Sequence, residues 1–119
     1  MAFPEIPSFG QKISLCREDA LCGILGLGSL ETRAFWVLKE KGSPMVAMDV
    51  ADALERDRTS VQRALKALVA LGLAARKRIP SKRGRKFAYE AVDSDRLKEV
   101  LNIRLDAFYA AMREQIESM

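Results

Sequence analysis

The sequence predicts a mainly α-helical fold with one small β-hairpin. Apolar residues recur at steps of three and four through most of the chain, which is the spacing of amphipathic helices. Between residues 73 and 92 the helical spacing ends, and Phe87, Tyr89 and Ala91 alternate with Ala88, Glu90 and Val92 as in a β-strand, after a basic stretch that contains a glycine. With 119 residues, the chain is long enough for one domain with a sizeable core.

Two features of the sequence bear on its location in the cell. No run of 18 apolar residues is present, so we expect no membrane span. The N-terminus also lacks the basic-then-apolar order of a signal peptide, which favours a cytoplasmic protein.

Residues 1–28 are predicted to form an N-terminal arm and helix. Pro4 and Pro7 favour an irregular arm over residues 1–8. The apolar spacing then predicts a helix over residues 9–25, ended by the glycines that follow. The expected apolar face of this helix consists of Ile13, Cys16, Ala20 and Ile24.

Residues 29–92 are predicted to form the central domain. Ser29 is a suitable N-cap for a helix over residues 30–41, and Ser43-Pro44 favours the start of a second helix. The apolar face expected for this second helix consists of Val46, Val50, Ala53 and Leu54.

A third helix and a hairpin complete the central domain. Asp57 is a candidate N-cap for a helix over residues 58–71. The expected buried side of this helix consists of Val61, Ala64, Leu65, Leu68 and Leu71. Residues 73–79 and 86–92 are predicted as strands, joined by a turn over residues 80–85.

Residues 93–119 are predicted to form one long helix that serves in dimerisation. Its apolar stripe consists of Leu97, Leu101, Leu105, Phe108, Met112 and Ile116. The small preceding domain offers little surface to cover a stripe of this length, so we expect a second copy of the chain to cover it, with the N- and C-terminal helices of the two chains intertwined as dimerisation helices. Packing against the N-terminal helix is the alternative.

Charge is sorted sharply along the chain. Of the 20 Lys and Arg residues, ten lie between residues 58 and 86, a stretch without Asp or Glu. The rest of the chain therefore carries 10 basic and 16 acidic residues. A basic face of this kind favours a polyanionic partner, and nucleic acid is the commonest.

The order of the elements is that of a winged helix-turn-helix domain. In this plan a helix, here residues 58–71, enters the major groove, and a basic wing, here residues 80–86, reaches the minor groove. Thr59, Gln62 and Arg63 are suited to base edges, and Ser60 and Lys66 to phosphates. The predicted DNA-binding residues are Arg58, Thr59, Ser60, Gln62, Arg63, Lys66, Arg76, Arg78, Lys82, Arg83, Arg85 and Lys86.

The sequence resembles the DNA-binding domain of archaeal TrmB-type regulators, within the wider MarR/ArsR winged-helix group. The matching stretches are LGLGSLETRAFWVLKEKG, DVADALERDRTSVQRALKALVALGLA, RGRKFAYEAV and DSDRLKEVL. The resemblance implies a transcription regulator that binds double-stranded DNA as a homodimer. TrmB-type proteins also carry a C-terminal sugar-sensing domain, whereas this chain ends after one helix, so no small-molecule effector is implied.

Other functional classes find little support in the sequence. The chain has no histidine, and its Cys, Lys and carboxylate residues form no recognised catalytic or metal-binding motif, so we expect no enzyme, cofactor or metal site. Cys16 and Cys22 are predicted to be packed or free thiols, and a redox role for them is a hypothesis. A winged-helix interaction adaptor and a non-specific architectural DNA binder are the alternatives to a regulator.

Overall fold

The computed structural model describes residues 15–81 and 84–119, without the side chains of residues 81–85. In this part of the chain the elements are, in order, α1 (Arg17–Asp19), a π-helix (Ala20–Ile24), α2 (Ser29–Lys41), β1 (Met45–Val46), α3 (Ala47–Leu54), α4 (Arg58–Ala70), β2 (Ala74–Ser81), β3 (Gly84–Ala91) and α5 (Ser94–Glu117). The predicted class, mainly helical with a small β-hairpin, is confirmed.

Helices α2, α3 and α4 pack around one hydrophobic core. The largest fully buried side chains are Phe35, Leu38, Val50, Val61, Leu65, Leu68 and Leu73. Because α4 buries one side against the other two helices, its opposite side is left free for solvent or a partner.

The hairpin is longer than the sequence predicted. β2 and β3 pair from Ala74 with Ala91 to Ser81 with Gly84, so both strands extend into the region expected to be a turn. Pro80 stays within the ladder because β2 is an edge strand, where a residue without an N–H is tolerated. Eight residue pairs make the hairpin about 25 Å long.

The sheet has a third strand that the sequence did not reveal. Met45 and Val46 pair with Tyr89 and Ala88 of β3, and α3 begins only at Ala47. The prediction that Ser43-Pro44 opens this helix is therefore wrong, since pairing with a distant strand overrides the local helix-start signal. The later start also moves the buried face: the buried residues of α3 are Ala47, Val50, Ala51 and Leu54, and Ala53 is exposed.

Helix capping agrees with the prediction at Asp57 and differs from it at Ser29. Asp57 and Asp93 cap α4 and α5, accepting hydrogen bonds from the backbone N–H groups of Ser60 (2.9 Å) and Arg96 (2.7 Å). In α2 the N-cap is Gly28, and Ser29, the predicted cap, is already helical.

The N-terminal helix differs most from its prediction. Residues 1–14 lie outside the described residues, and with them Ile13. The described portion is a single α-helical turn, Arg17–Asp19, continued by the π-helix Ala20–Ile24. Because a π-helix has a wider turn than an α-helix, the residue it buries is Leu21, and the predicted face is not formed: Cys16 is exposed, and Ala20 and Ile24 are half-buried.

Candidate nucleic-acid interface

Helix α4 presents a polar, basic side to solvent. Thr59, Arg63 and Lys66 are exposed, and Gln62 beside them is half-buried. Residues three and four apart lie on one side of a helix, so these four side chains form a single surface, opposite the buried Val61 and its neighbours.

The first turn of α4 is held by its acidic cap. The backbone N–H of Ser60 donates to Asp57, and this hydrogen bond lowers the pKa of the Asp57 carboxyl below its ordinary value of 3.8. The ionised carboxylate lies at the N-terminal, positive end of the helix dipole. This position stabilises its negative charge. Ser60 itself is half-buried, and its predicted contact with phosphate stays a prediction.

A cleft of about 330 Å³ lies between α4 and the hairpin. Arg58 and Gln62 line it from α4, and Lys86 and Phe87 line it from β3. Met48, at the start of α3, lines the third side and is about half exposed. Met48 was not predicted to lie at this site, because a helix that starts at Ser43-Pro44 would place the residue beyond its first turn.

The two faces of the hairpin differ in character. Strand alternation and the register place Arg76 and Arg78 on the same face as Phe87 and Tyr89, both of which line the cleft. Arg76 Cζ lies 4.3 Å from the centroid of the Phe87 ring. Lys77 lies on the other face, where its Nζ is 3.9 Å from Glu90 Oε2. Arg76 and Arg78 therefore lie on the face of the hairpin that borders α4, whereas Lys77 lies on the opposite face.

The basic residues on the α4 side have no carboxylate partner within the described part of the chain. The ion pairs there are Lys77–Glu90 and Arg96–Glu99, and neither involves a predicted DNA-binding residue. The full charges of Arg58, Arg63, Lys66, Arg76 and Arg78 are therefore available to a polyanion.

Three of the predicted DNA-binding residues belong to the tip of the wing. Lys82 and Arg83 lie outside the described residues, and the Arg85 side chain is likewise not described. Their roles stay predictions from the sequence.

The predicted dimerisation stripe divides into two parts along α5. Leu97 and Leu101 are half-buried against the core of their own chain, next to the buried Val100. Every residue from 102 to 119 is exposed. The remaining stripe residues are 43–61% exposed and comprise Leu105, Phe108, Met112 and Ile116.

The remaining features give little indication of another site. Cys16 and Cys22 are exposed and not bonded to each other, and Cys22 Sγ lies 3.7 Å from Thr32 Oγ1. Among the described residues, no three Cys, Asp or Glu side chains gather as metal ligands do. Nor does any helix in the described ranges combine the length and apolarity needed to cross a bilayer.

Comparisons with known sequences point to one family. Residues 21–95 match the family described as "Sugar-specific transcriptional regulator TrmB". An uncharacterized protein of Methanocaldococcus jannaschii is 38% identical over 97 residues, which cover 82% of this chain and 80% of that protein. A second uncharacterized protein of the same organism is 26% identical over 103 residues, or 86% of this chain and 77% of that one.

Solved structures share the fold. A possible transcriptional regulator from Methanosarcina mazei has a TM-score of 0.76 at 14% identity, covering 85% of this chain and 86% of its own. A protein from Sulfolobus tokodaii has a TM-score of 0.67 at 22% identity, with coverage of 87% and 95%. A mutant of S. aureus MepR bound to an oligodeoxyribonucleotide has a TM-score of 0.56 at 16% identity, with coverage of 85% and 72%. The predicted winged helix-turn-helix fold is thereby confirmed.

Proposed function

Because this chain belongs to the TrmB family of winged-helix transcriptional regulators, we propose that it binds a specific double-stranded DNA operator as a homodimer in the cytoplasm. The observation that carries the proposal is the shared surface of α4 and the hairpin. It combines unpaired arginines with side chains that can read bases, whereas the carboxylates of the described ion pairs lie elsewhere.

Helix α4 is the element that enters the major groove. Its exposed N-terminal half carries Thr59 and Arg63, with Gln62 at the edge of the cleft. Arginine can donate to the two acceptors of guanine, and glutamine can pair with the N7 acceptor and the N6 donor of adenine, so these side chains supply direct readout. Lys66, one turn further along, contacts phosphate.

The hairpin supplies the second half of the contact. Arg76 and Arg78 reach the phosphate backbone from β2, and Arg58 and Lys86 meet it from the two walls of the cleft. The wing tip, with Lys82, Arg83 and Arg85, extends into the minor groove, where a narrow A·T-rich groove attracts arginine.

The homodimer forms through the exposed half of α5. The apolar side chains of this half, from Leu105 to Ile116, are exposed in the single chain. Burial of its apolar side chains against a second copy removes that surface from solvent. Two copies also place two α4 helices on one duplex, which doubles the number of base contacts.

The experiment that tests the proposal is selection of duplexes from a random pool, followed by fluorescence anisotropy with a selected and a scrambled duplex. We expect a preference of about a thousandfold or more for the selected duplex at physiological salt. Equal, salt-sensitive binding to both would indicate the architectural alternative. Absence of binding at low salt would overturn the DNA-binding proposal and favour an interaction adaptor.

A further inference from the structure

Met48 is a large apolar side chain on the surface proposed to bind DNA. It is the second residue of α3 and is 47% exposed, whereas Ala47 before it and Val50 after it are buried. Side chains of a helix incline toward its N-terminus. Met48 therefore extends from the start of α3 into the cleft that borders α4 and the hairpin.

The cleft brings Met48 together with side chains that bind DNA through polar groups. Gln62 lines it from α4, and the cations Arg58 and Lys86 line it from α4 and β3. The thioether of Met48 carries no charge and no hydrogen-bond donor, so it cannot bind phosphate as its neighbours can. Any contact that Met48 makes with DNA is therefore apolar.

One apolar group distinguishes the bases in the major groove. Thymine presents its C5-methyl group there, whereas the other bases are distinguished by hydrogen-bond donors and acceptors. An A·T pair thus presents N7 and N6 of adenine in one half and the thymine methyl group in the other. The cleft holds a side chain suited to each half, Gln62 for adenine and Met48 for thymine.

We propose that Met48 is a specificity-determining residue, which packs against the C5-methyl group of a thymine at or next to the base pair that Gln62 reads. The inference rests on the proposed function and deepens it, because it adds an apolar contact to the hydrogen bonds made by α4. It also extends the base-reading surface from α4 to the start of α3.

Deoxyribose is the other apolar surface that DNA offers to Met48. Because every nucleotide carries this sugar, such a contact would add affinity without preference for a base. Removal of the thymine methyl group distinguishes the two contacts, since it leaves the sugar unchanged.

The test removes the methyl group from the DNA and the thioether from the protein. Each thymine of the selected duplex is replaced in turn by deoxyuridine, which lacks only the C5-methyl group and still pairs with adenine. Dissociation constants for wild type and Met48→Ala are then measured by fluorescence anisotropy. Burial of one methyl group changes affinity about fourfold, so deoxyuridine at the contacted position should weaken wild type by about this factor. Met48→Ala should bind the unmodified duplex more weakly than wild type does and lose nothing further at that position.

Substitutions of different polarity show whether the apolar character of Met48 matters. Met48→Leu keeps an apolar side chain of similar size and should retain the effect of deoxyuridine. Met48→Gln keeps the length but is polar, and it should lose the effect. Met119→Ala is the control, because it removes the same kind of side chain from a position that is 97% exposed and follows α5. The Tm of each variant checks that the fold is retained.

The outcomes separate this inference from the proposed function. A wild type that binds the selected and the scrambled duplex equally would overturn both. A wild type that prefers the selected duplex, yet loses no affinity with deoxyuridine at any position, would overturn the role of Met48 alone. The same conclusion would follow if deoxyuridine weakened Met48→Ala as much as wild type at every position.

Discussion

Arg76 stacks its guanidinium over the ring of Phe87 on the neighbouring strand, 4.3 Å from Cζ to the ring centroid. The contact holds the arginine on the face of the hairpin that borders the α4 cleft. Lys77, the next residue, lies on the opposite face beside Glu90. Two adjacent cations of one strand thus serve as a matched pair for testing which face meets DNA.

Arg76→Ala should lower DNA affinity and reduce its salt dependence, whereas Lys77→Ala should change neither. Each lost phosphate contact lowers the slope of log affinity against log salt by about 0.9. The measurement is an anisotropy titration of each variant from low to high salt. A Lys77→Ala slope reduced as much as that of Arg76→Ala would place DNA on both faces and contradict the proposed docking.

Arg63→Ala and Lys66→Ala should separate specificity from affinity. Arg63 is assigned to a base, so its loss should cost about 1–3 kcal/mol on the selected duplex and little on a scrambled one. Lys66 is assigned to phosphate, so its loss should weaken both duplexes equally. Parallel titrations of the two duplexes measure this, and a similar loss of discrimination in both variants would argue against the two assignments.

Gly72→Ala should destabilise the fold by about 1–2 kcal/mol. Gly72 connects α4 to β2 with φ of +80°, a conformation that favours glycine. A Cβ there would lie 3.7 Å from Val100 Cγ2, an ordinary contact, so the cost arises from the backbone. Gly23→Ala is the control, because its φ is not positive and no atom lies within 4 Å of the added carbon. Urea unfolding of both variants measures the difference, and equal stabilities would refute the role of the turn.

Asp57→Asn should remove part of the acid sensitivity of the fold. The carboxyl pKa of Asp57 is lowered by the Ser60 N–H, so its ionised form stabilises the folded state above pH 3.8. This contribution is lost as the pH falls below 3.8 and through the folded-state pKa, because the unfolded chain takes up the proton first. Asparagine still caps the helix but does not titrate in this range. The Tm of wild type should therefore exceed that of the variant at pH 7, and the difference should shrink as the pH falls below 3.8. A constant difference would contradict the assignment.

The sequence predicted those elements whose signals are local. Helix α4 has a capping aspartate, Asp57, and a regular apolar period, and both agree with its tertiary packing. Strand β1 was not predicted, because its formation depends on pairing with Tyr89 and Ala88, more than 40 residues away. A strand of two residues is also too short to show an alternating pattern in the sequence. Pro80 suggested a turn, yet it lies in an edge strand, where its missing N–H is tolerated.

The site was predicted as a set of charges without its geometry. The sorting of basic residues between 58 and 86 predicted a basic surface, but it did not say which cations share a face. Arg76 and Lys77 look equivalent in the sequence and lie on opposite faces of the hairpin. Likewise, the apolar period of α5 predicted one continuous stripe. The structure shows that Leu97 and Leu101 lie against the core of their own domain. The sequence period could not show this, because which part of the stripe is buried depends on the shape of the neighbouring elements.

The measurement that tests the central claim most directly is an NMR titration of the labelled protein with the selected duplex. If α4 and the hairpin form the DNA surface, the backbone amide signals of residues 58–66 and 76–87 should shift most. Those of residues 105–116 should keep their positions, because α5 is engaged with the second copy. Shifts concentrated in α5 or around the N-terminal helix, with α4 unaffected, would contradict the account.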